Sequence, residues 1–249
     1  MVLSIVIISW NSLGMLKRCL HSLAGMMRRA DVEVIWVDNG STDGSEEWVR
    51  SNYPSVSRHI LPRNYGVAYA RNRGVEASRG KYVLFLDDDT ESGEDSIMPM
   101  LDFLQAHPHA GICGTALRDR QGNLQDSFKK FPGLGVKIGN VVRSWLGRKR
   151  KVSAPAHVTE VDYLIGACQM IRREVFEKVG MLDENIFYGP EDADFCLRAQ
   201  EAGWRVCYLP NVSITHHWRR STSINPLGRL GRKHLRALFY FYRKHRRWW

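Results

Sequence analysis

Four short apolar runs, at residues 3–9, 32–37, 56–61 and 81–87, alternate with stretches of helical spacing. The runs are rich in Val and Ile and read as strands. Between the first two, Leu13, Leu16, Leu20 and Leu23 recur on one helical face, with Ser12 placed to cap it. Residues 41–52 and 65–79 read as further helices. Strand–helix alternation of this kind predicts an α/β fold with a mostly parallel sheet flanked by helices. Ligands in such sheets sit beyond the carboxyl ends of the strands. Asp38 ends the second strand and Asp87 the fourth, so both are expected on that edge.

Asp87 opens the triplet Asp87-Asp88-Asp89. Two like charges ~4 Å apart repel by roughly 4 kcal/mol at an effective dielectric of about 20. A cation that neutralises the cluster removes that cost. Side chains alternate along a strand, so Asp87 and Asp89 are expected on one side and Asp88 on the other. Hard oxygen donors suit Mg²⁺ or Mn²⁺, which commonly share their shell with substrate phosphates. The competing reading is a solvated acidic turn.

Other segments carry polar groups to helix or strand ends. Asp38-Asn39-Gly40-Ser41 follows the second strand, where an Asp can accept hydrogen bonds from a base or ribose. A turn with Ser41 as helix cap is the alternative for its neighbours. Asn64 through Gly74 brings Asn, Gly, Arg71 and Arg73 to a helix entrance, a setting that favours phosphate. Gly189-Pro190-Glu191-Asp192-Ala193-Asp194 opens a later helix. Acids there favour the helix dipole, and one of them can also serve as a general base. His216 follows a strand-like stretch at 211–215; a neutral imidazole there can complete a metal shell, and Arg219 can hold a diphosphate. His217 reads as a surface turn.

Charge separates the chain into two parts. The net charge is +10, yet the residues after Glu201 hold eleven Lys and Arg and no acid. The basic character therefore belongs to the C-terminal segment, unlike a uniformly basic nucleic-acid-binding domain. No apolar run approaches the ~20 residues that span a bilayer. The first residues read as a core strand rather than a signal peptide. The five cysteines are scattered without a CxxC pair, which points to a reducing compartment and away from a zinc site or disulfide framework. Residues 118–156, with five glycines and the run Arg148-Lys149-Arg150-Lys151, read as a loop-rich, mobile insertion.

In order, Val6-Ile7-Ile8-Ser9-Trp10-Asn11, Val37-Asp38-Asn39-Gly40-Ser41-Thr42-Asp43, Asn64-Tyr65-Gly66, Leu86-Asp87-Asp88-Asp89, Gly166-Ala167-Cys168, Gly180-Met181-Leu182-Asp183-Glu184 and Glu191-Asp192-Ala193-Asp194 with His216 resemble the inverting glycosyltransferase family 2, which has the GT-A fold. The likeness is strongest to bacterial rhamnosyltransferase-like members and covers most of residues 1–220. It implies a nucleotide-diphosphate sugar donor, UDP- or dTDP-linked, and Mg²⁺ or Mn²⁺. Asp192 would be the catalytic base, and Asp87, Asp89 and His216 would surround the metal. Ser9, Asn11, Asp38, Asn64, Arg71, Asp87, Asp88, Gly166, Glu191 and Arg219 would line the donor. Some rhamnosyltransferase-like members carry Asn-Pro-Asp where this chain has three aspartates.

On this resemblance, residues 1–225 form one domain, with a nucleotide-binding half at 1–117 and an acceptor and catalytic half at 157–225. A sugar-nucleotide pyrophosphorylase is the alternative enzyme, but Trp10-Asn11-Ser12-Leu13 lacks the Gly-rich basic loop it needs after the first strand. The alternative outside enzymes is a basic membrane- or nucleic-acid-binding protein. Residues 226–249 combine Leu235, Leu238, Phe239, Tyr240, Phe241 and Tyr242 with Arg and Lys, and read as a basic amphipathic helix at an anionic membrane surface; the alternative is a helix packed on the catalytic domain with its basic face in water. A glycan or lipid-linked acceptor, and a cytoplasmic enzyme peripheral to the inner face of the membrane, follow as expectations.

Overall fold

The computed structural model describes residues 1–131, 154–217 and 228–246. The predicted strands β1 (Leu3–Ser9), β2 (Val32–Asp38), β3 (Ser57–Ile60) and β4 (Tyr82–Asp87) all form, and all run parallel. β1 is buried along its whole length, as befits a strand covered on both faces. Helices α1 (Leu13–Ser22), α2 (Ser45–Asn52) and α3 (Val67–Ala77) form the crossovers.

The sheet continues past β4, in part through short strands and a helix that the sequence reading did not resolve; the later helices and the strand around 211–215 form where it expected them. β5 (Thr90–Glu91), α4 (Glu94–Ala106) and β6 (Ala110–Arg118) follow in the chain. Then come β7 (Phe128–Lys129), β8 (Thr159–Glu160), β9 (Tyr163–Leu164), β10 (Cys168–Arg172), α5 (Arg173–Val179), α6 (Glu191–Glu201), β11 (Arg205–His216) and α7 (Arg229–His245). The strand order is β3-β2-β1-β4-β10-β6-β11-β5, with β8 paired to β11. β10 is antiparallel to both neighbours, β4 and β6, whereas β6 and β11 are parallel. The sheet is therefore mixed, but β1, β2, β4, β6 and β11 end on one edge. That edge carries Ser9, Asp38, Asp87, Arg118 and His216.

Two apolar layers cover the sheet. Trp36, Leu20 and Met100 are fully buried on one side, and Phe85, Ile171 and Phe195 are almost fully buried on the other. All five cysteines are buried free thiols. Within 118–156, Asp119–Asn123 form a hydrogen-bonded turn and β7 pairs with β9, so the described start of this segment is built into the domain. The basic run at 148–151 lies outside the described residues.

Two expected caps are corrected. Ser12 does not cap α1: its hydroxyl donates to Asp88, and the Leu13 N–H is taken by Asp43. Ser41 does not cap α2, which begins only at Ser45. Gly40 and Gly44 hold φ of +80° and +84° and delay the helix, and Asp43 accepts from the Ser45 N–H.

The expected C-terminal helix forms, and one side of it is taken up by the domain. Leu238, Phe241 and Tyr242 are buried in the layer around Phe195, and Ala237 is buried as well. Lys244 lies 2.6 Å from Asp183 and 2.7 Å from Asp194, and His245 lies 2.7 Å from Asp194. His234 Nδ1 sits 3.0 Å from the Gly189 carbonyl. α7 is thus packed against the domain beside α6. Trp248 and Trp249 lie outside the described residues, and no described helix is long and apolar enough to cross a membrane.

Candidate active site

The carboxyl edge of the sheet gathers the sequence-predicted residues into one place. β1 and β2 run in register, with Ser9 beside Asp38, and Asp87 lies beside Ile8 on the other flank of β1. The loops after β1 and β2 are stitched together. The Asn11 N–H donates to Ser41 Oγ, and Asn11 Oδ1 accepts from the Thr42 N–H at 2.8 Å. Asn11 adopts φ +48°, a left-handed conformation uncommon outside glycine and enriched in Asn. Asp38 is 1% exposed and accepts from the Ser41 N–H at 3.0 Å. Burial raises its pKa, against the pull of the Ser41 hydrogen bonds.

Two expected donor contacts are engaged within the protein. The Ser9 hydroxyl accepts from the Trp36 indole at 2.8 Å inside the sheet. Asn64 Oδ1 accepts from the Gly66 N–H and the Asn39 amide. Gly66 has φ +98°, and a Cβ there would stand 2.5 Å from the Phe187 carbonyl, so the turn before α3 requires glycine. That close approach presses the 186–190 loop against the start of α3, where Val67 N–H donates to Phe187 at 3.0 Å.

The aspartate triplet is divided among different partners, and because β4 ends at Asp87 the two residues after it lie in a turn rather than in strand alternation. Asp88 turns to Ser12 on α1. Asp87 turns to Arg71, at 2.7 Å. Asp89 faces His216, with Nε2 3.5 Å from Oδ1. A side-chain cation thus relieves part of the repulsion for which the sequence argument invoked a metal.

Arg71 is the hub. It arises from α3, is 3% exposed in its side chain and stacks 5.2 Å from the Phe85 ring centroid. Nη2 donates to Asp87 and to the Gly166 carbonyl, each at 2.7 Å, and Nη1 lies 3.7 Å from Glu191. A Cβ on Gly166 would stand 2.5 Å from the guanidinium, so only glycine lets the arginine lie there. Gly166 in turn donates its N–H to Asp192 Oδ2 at 3.3 Å. One guanidinium and one glycine therefore join the end of β4 to the start of α6.

At that start, Pro190 is the residue before the first turn, and Glu191, Asp192 and Asp194 occupy it. Asp194 is buried against Arg198, Lys244 and His245, and serves structure. Glu191 accepts from the Gly189 N–H. Burial, reinforced by the charge of Asp192 and opposed by Arg71, raises the Glu191 pKa. Burial likewise raises Asp192, against the Ala193 N–H and the charges of Arg71 and Lys129. Asp192 is thus a carboxylate with raised basicity at the same edge as Asp38 and Asp87.

His216 has its tautomer fixed by Gln125. The Gln125 amide donates to the His216 carbonyl at 2.9 Å, which turns Oε1 toward Nδ1 at 2.7 Å. Nδ1 therefore carries the proton and Nε2 keeps its lone pair. Burial lowers the imidazole pKa, outweighing the charge of Asp87. The free lone pair of Nε2 therefore lies on the side of Asp89. Two carboxylates and a neutral imidazole also match the donors that a hard divalent ion takes alongside phosphate oxygens. Among the described residues no group of three His, Cys, Asp or Glu side chains is assembled with metal-binding spacing.

Gln125 and Lys129 were missed by sequence reasoning, which treated their segment as a loop; no local signal marks them. Arg219 lies outside the described residues.

A family model for glycosyl transferase family 2 matches residues 4–180. The N-acetylglucosaminyl-diphospho-decaprenol L-rhamnosyltransferase of Mycobacterium tuberculosis is 30% identical, over 100% of this chain and 86% of its own length. The dTDP-rhamnosyl transferase RfbF of Shigella flexneri is 27% identical over 79% of this chain and 64% of its own. Among solved structures, S. aureus TarS 1–349 in complex with UDP shares the fold at a TM-score of 0.64 and 19% identity, over 86% of this chain and 60% of its own. The mannosyltransferase PcManGT from Pyrobaculum calidifontis, in complex with GDP-Man and Mn²⁺, shares it at 0.61 and 19%, over 88% and 57%.

Proposed function

The chain belongs to glycosyl transferase family 2, and on that premise we propose a metal-dependent, inverting transfer of a sugar from a nucleotide diphosphate to a hydroxyl of a lipid-linked acceptor in bacterial surface-polysaccharide synthesis. The rhamnosyl relatives favour dTDP-rhamnose as the donor and a polyprenyl-diphosphate-linked sugar as the acceptor. The family match leaves no role for the pyrophosphorylase alternative.

The observation that carries the reading is the bridge from Asp87 through Arg71 and Gly166 to Asp192. It sets a donor-side carboxylate and a basic carboxylate in one frame. Asp38 and the stitched loops around Asn11 bind the nucleoside. Asp192 accepts the proton of the acceptor hydroxyl as that oxygen attacks the anomeric carbon from the face opposite the diphosphate. The bond to diphosphate breaks and the anomeric centre inverts. Asp87, Asp89 and His216 would hold the divalent ion, which offsets the charge that builds on the leaving diphosphate. Arg71 keeps Asp87 and Glu191 in position.

The test is release of nucleotide diphosphate from dTDP-rhamnose and from UDP-sugars, with a polyprenyl-diphospho-N-acetylglucosamine acceptor and Mg²⁺ or Mn²⁺. NMR of the product reads the anomeric configuration. Retention, or transfer with neither nucleotide class, would refute the proposal.

A further inference from the structure

Docking of α7 on the domain uses one side of the helix and leaves the other to solvent. Arg232, Leu235, Arg236, Phe239 and Arg243 fall at helical spacing along the outer side, and all are exposed. Leu235 is 52% and Phe239 60% exposed, high values for large apolar residues. Arg232, Arg236 and Arg243 make no ion pair among the described residues. No acid follows Glu201 in the sequence. The cations that do pair, Lys244 and His245, face inward to Asp183 and Asp194. The helix is thus sorted by side: paired cations toward the protein, arginines bracketing two apolar residues toward solvent.

We propose that this outer side is a docking surface for an anionic lipid bilayer. Charge complementarity selects an anionic partner, and the apolar pair selects a bilayer over a soluble polyanion, which offers no hydrocarbon. The contact is shallow. Only Leu235 and Phe239 enter the interface, because Leu238, Phe241 and Tyr242 are held in the core. This differs from a helix lying in the interface by its whole apolar face. The proposal rests on α7 and not on the donor or acceptor reading.

The test is co-sedimentation of the full-length protein with vesicles of one-third phosphatidylglycerol in phosphatidylcholine, and with pure phosphatidylcholine. Binding is expected to the anionic vesicles only. R232Q/R236Q/R243Q is expected to weaken it about a hundredfold, each basic residue near an anionic surface contributing roughly fivefold. L235A/F239A is expected to weaken it at least tenfold with an unchanged melting temperature. Binding that survives the apolar variant intact would overturn the proposal in favour of a polyanion site, and equal binding to neutral vesicles would overturn the charge argument. Transfer to a water-soluble acceptor is expected to persist in both variants, which separates failure of this surface from failure of the enzymatic reading.

Discussion

Arg71 Nη2 stands 2.7 Å from Asp87 Oδ1, with the arginine side chain only 3% exposed. A buried cation of this kind leaves uncompensated carboxylates behind when removed. Arg71→Met is expected to destabilise the protein by about 3–5 kcal/mol, the cost of breaking a buried pair. Chemical denaturation measures it, and a loss below about 1 kcal/mol would show that solvent screens Asp87 and Glu191.

Asp192→Asn is nearly isosteric but cannot take a proton. Turnover is expected to fall by about 10²–10⁴-fold, with affinity for the nucleotide diphosphate unchanged by calorimetry. Lost affinity would move Asp192 to the donor side, and retained turnover would leave Glu191 as the base.

Glu191 gives a pH signature. Burial foremost, then Asp192, pushes its carboxyl up from 4.5 to about 7. The folded state therefore holds a proton that the unfolded chain releases. The stability this contributes is fully present below about pH 4.5 and is lost as pH rises through about 7. Glu191→Gln removes that dependence. The melting temperature of wild type relative to E191Q is expected to fall between pH 5 and 8, and a constant difference would contradict it.

Donor binding and turnover are expected to need Mg²⁺ or Mn²⁺. Excess chelator, or Asp89→Ala, is expected to abolish activity and the thermal shift that a nucleotide diphosphate produces with the metal. Full activity in chelator would refute this.

Much of the first half of the fold was legible because its strands are continuous apolar runs. β1, β2, β4 and α1 fall where Ile, Val and Leu place them. α4 was not legible, because Pro99 lies inside it and Gly93 precedes it. β6 was hidden by Gly111 and Gly114 within Ala110–Arg118. No local pattern shows that β10 inserts antiparallel between β4 and β6. The same divide holds in the site. Asp38, Asp87 and Asp192 announce themselves at element ends. Their partners do not: Ser12 is 76 residues from Asp88, Gln125 is 91 from His216, and Gly166 is 95 from Arg71. Separations of that size are set by topology, which short-range spacing does not encode.

β10 pairs with both β4 and β6, yet follows them by fifty residues or more in the chain. During synthesis the first 118 residues therefore emerge with the flank of β4 still open. Folding of this domain must wait for a distant segment, which makes it slow by topology. A truncation ending between β6 and β10 would present that bare flank as a template for pairing with other chains. The ribosome must deliver β10 before the first strands can stop being sticky.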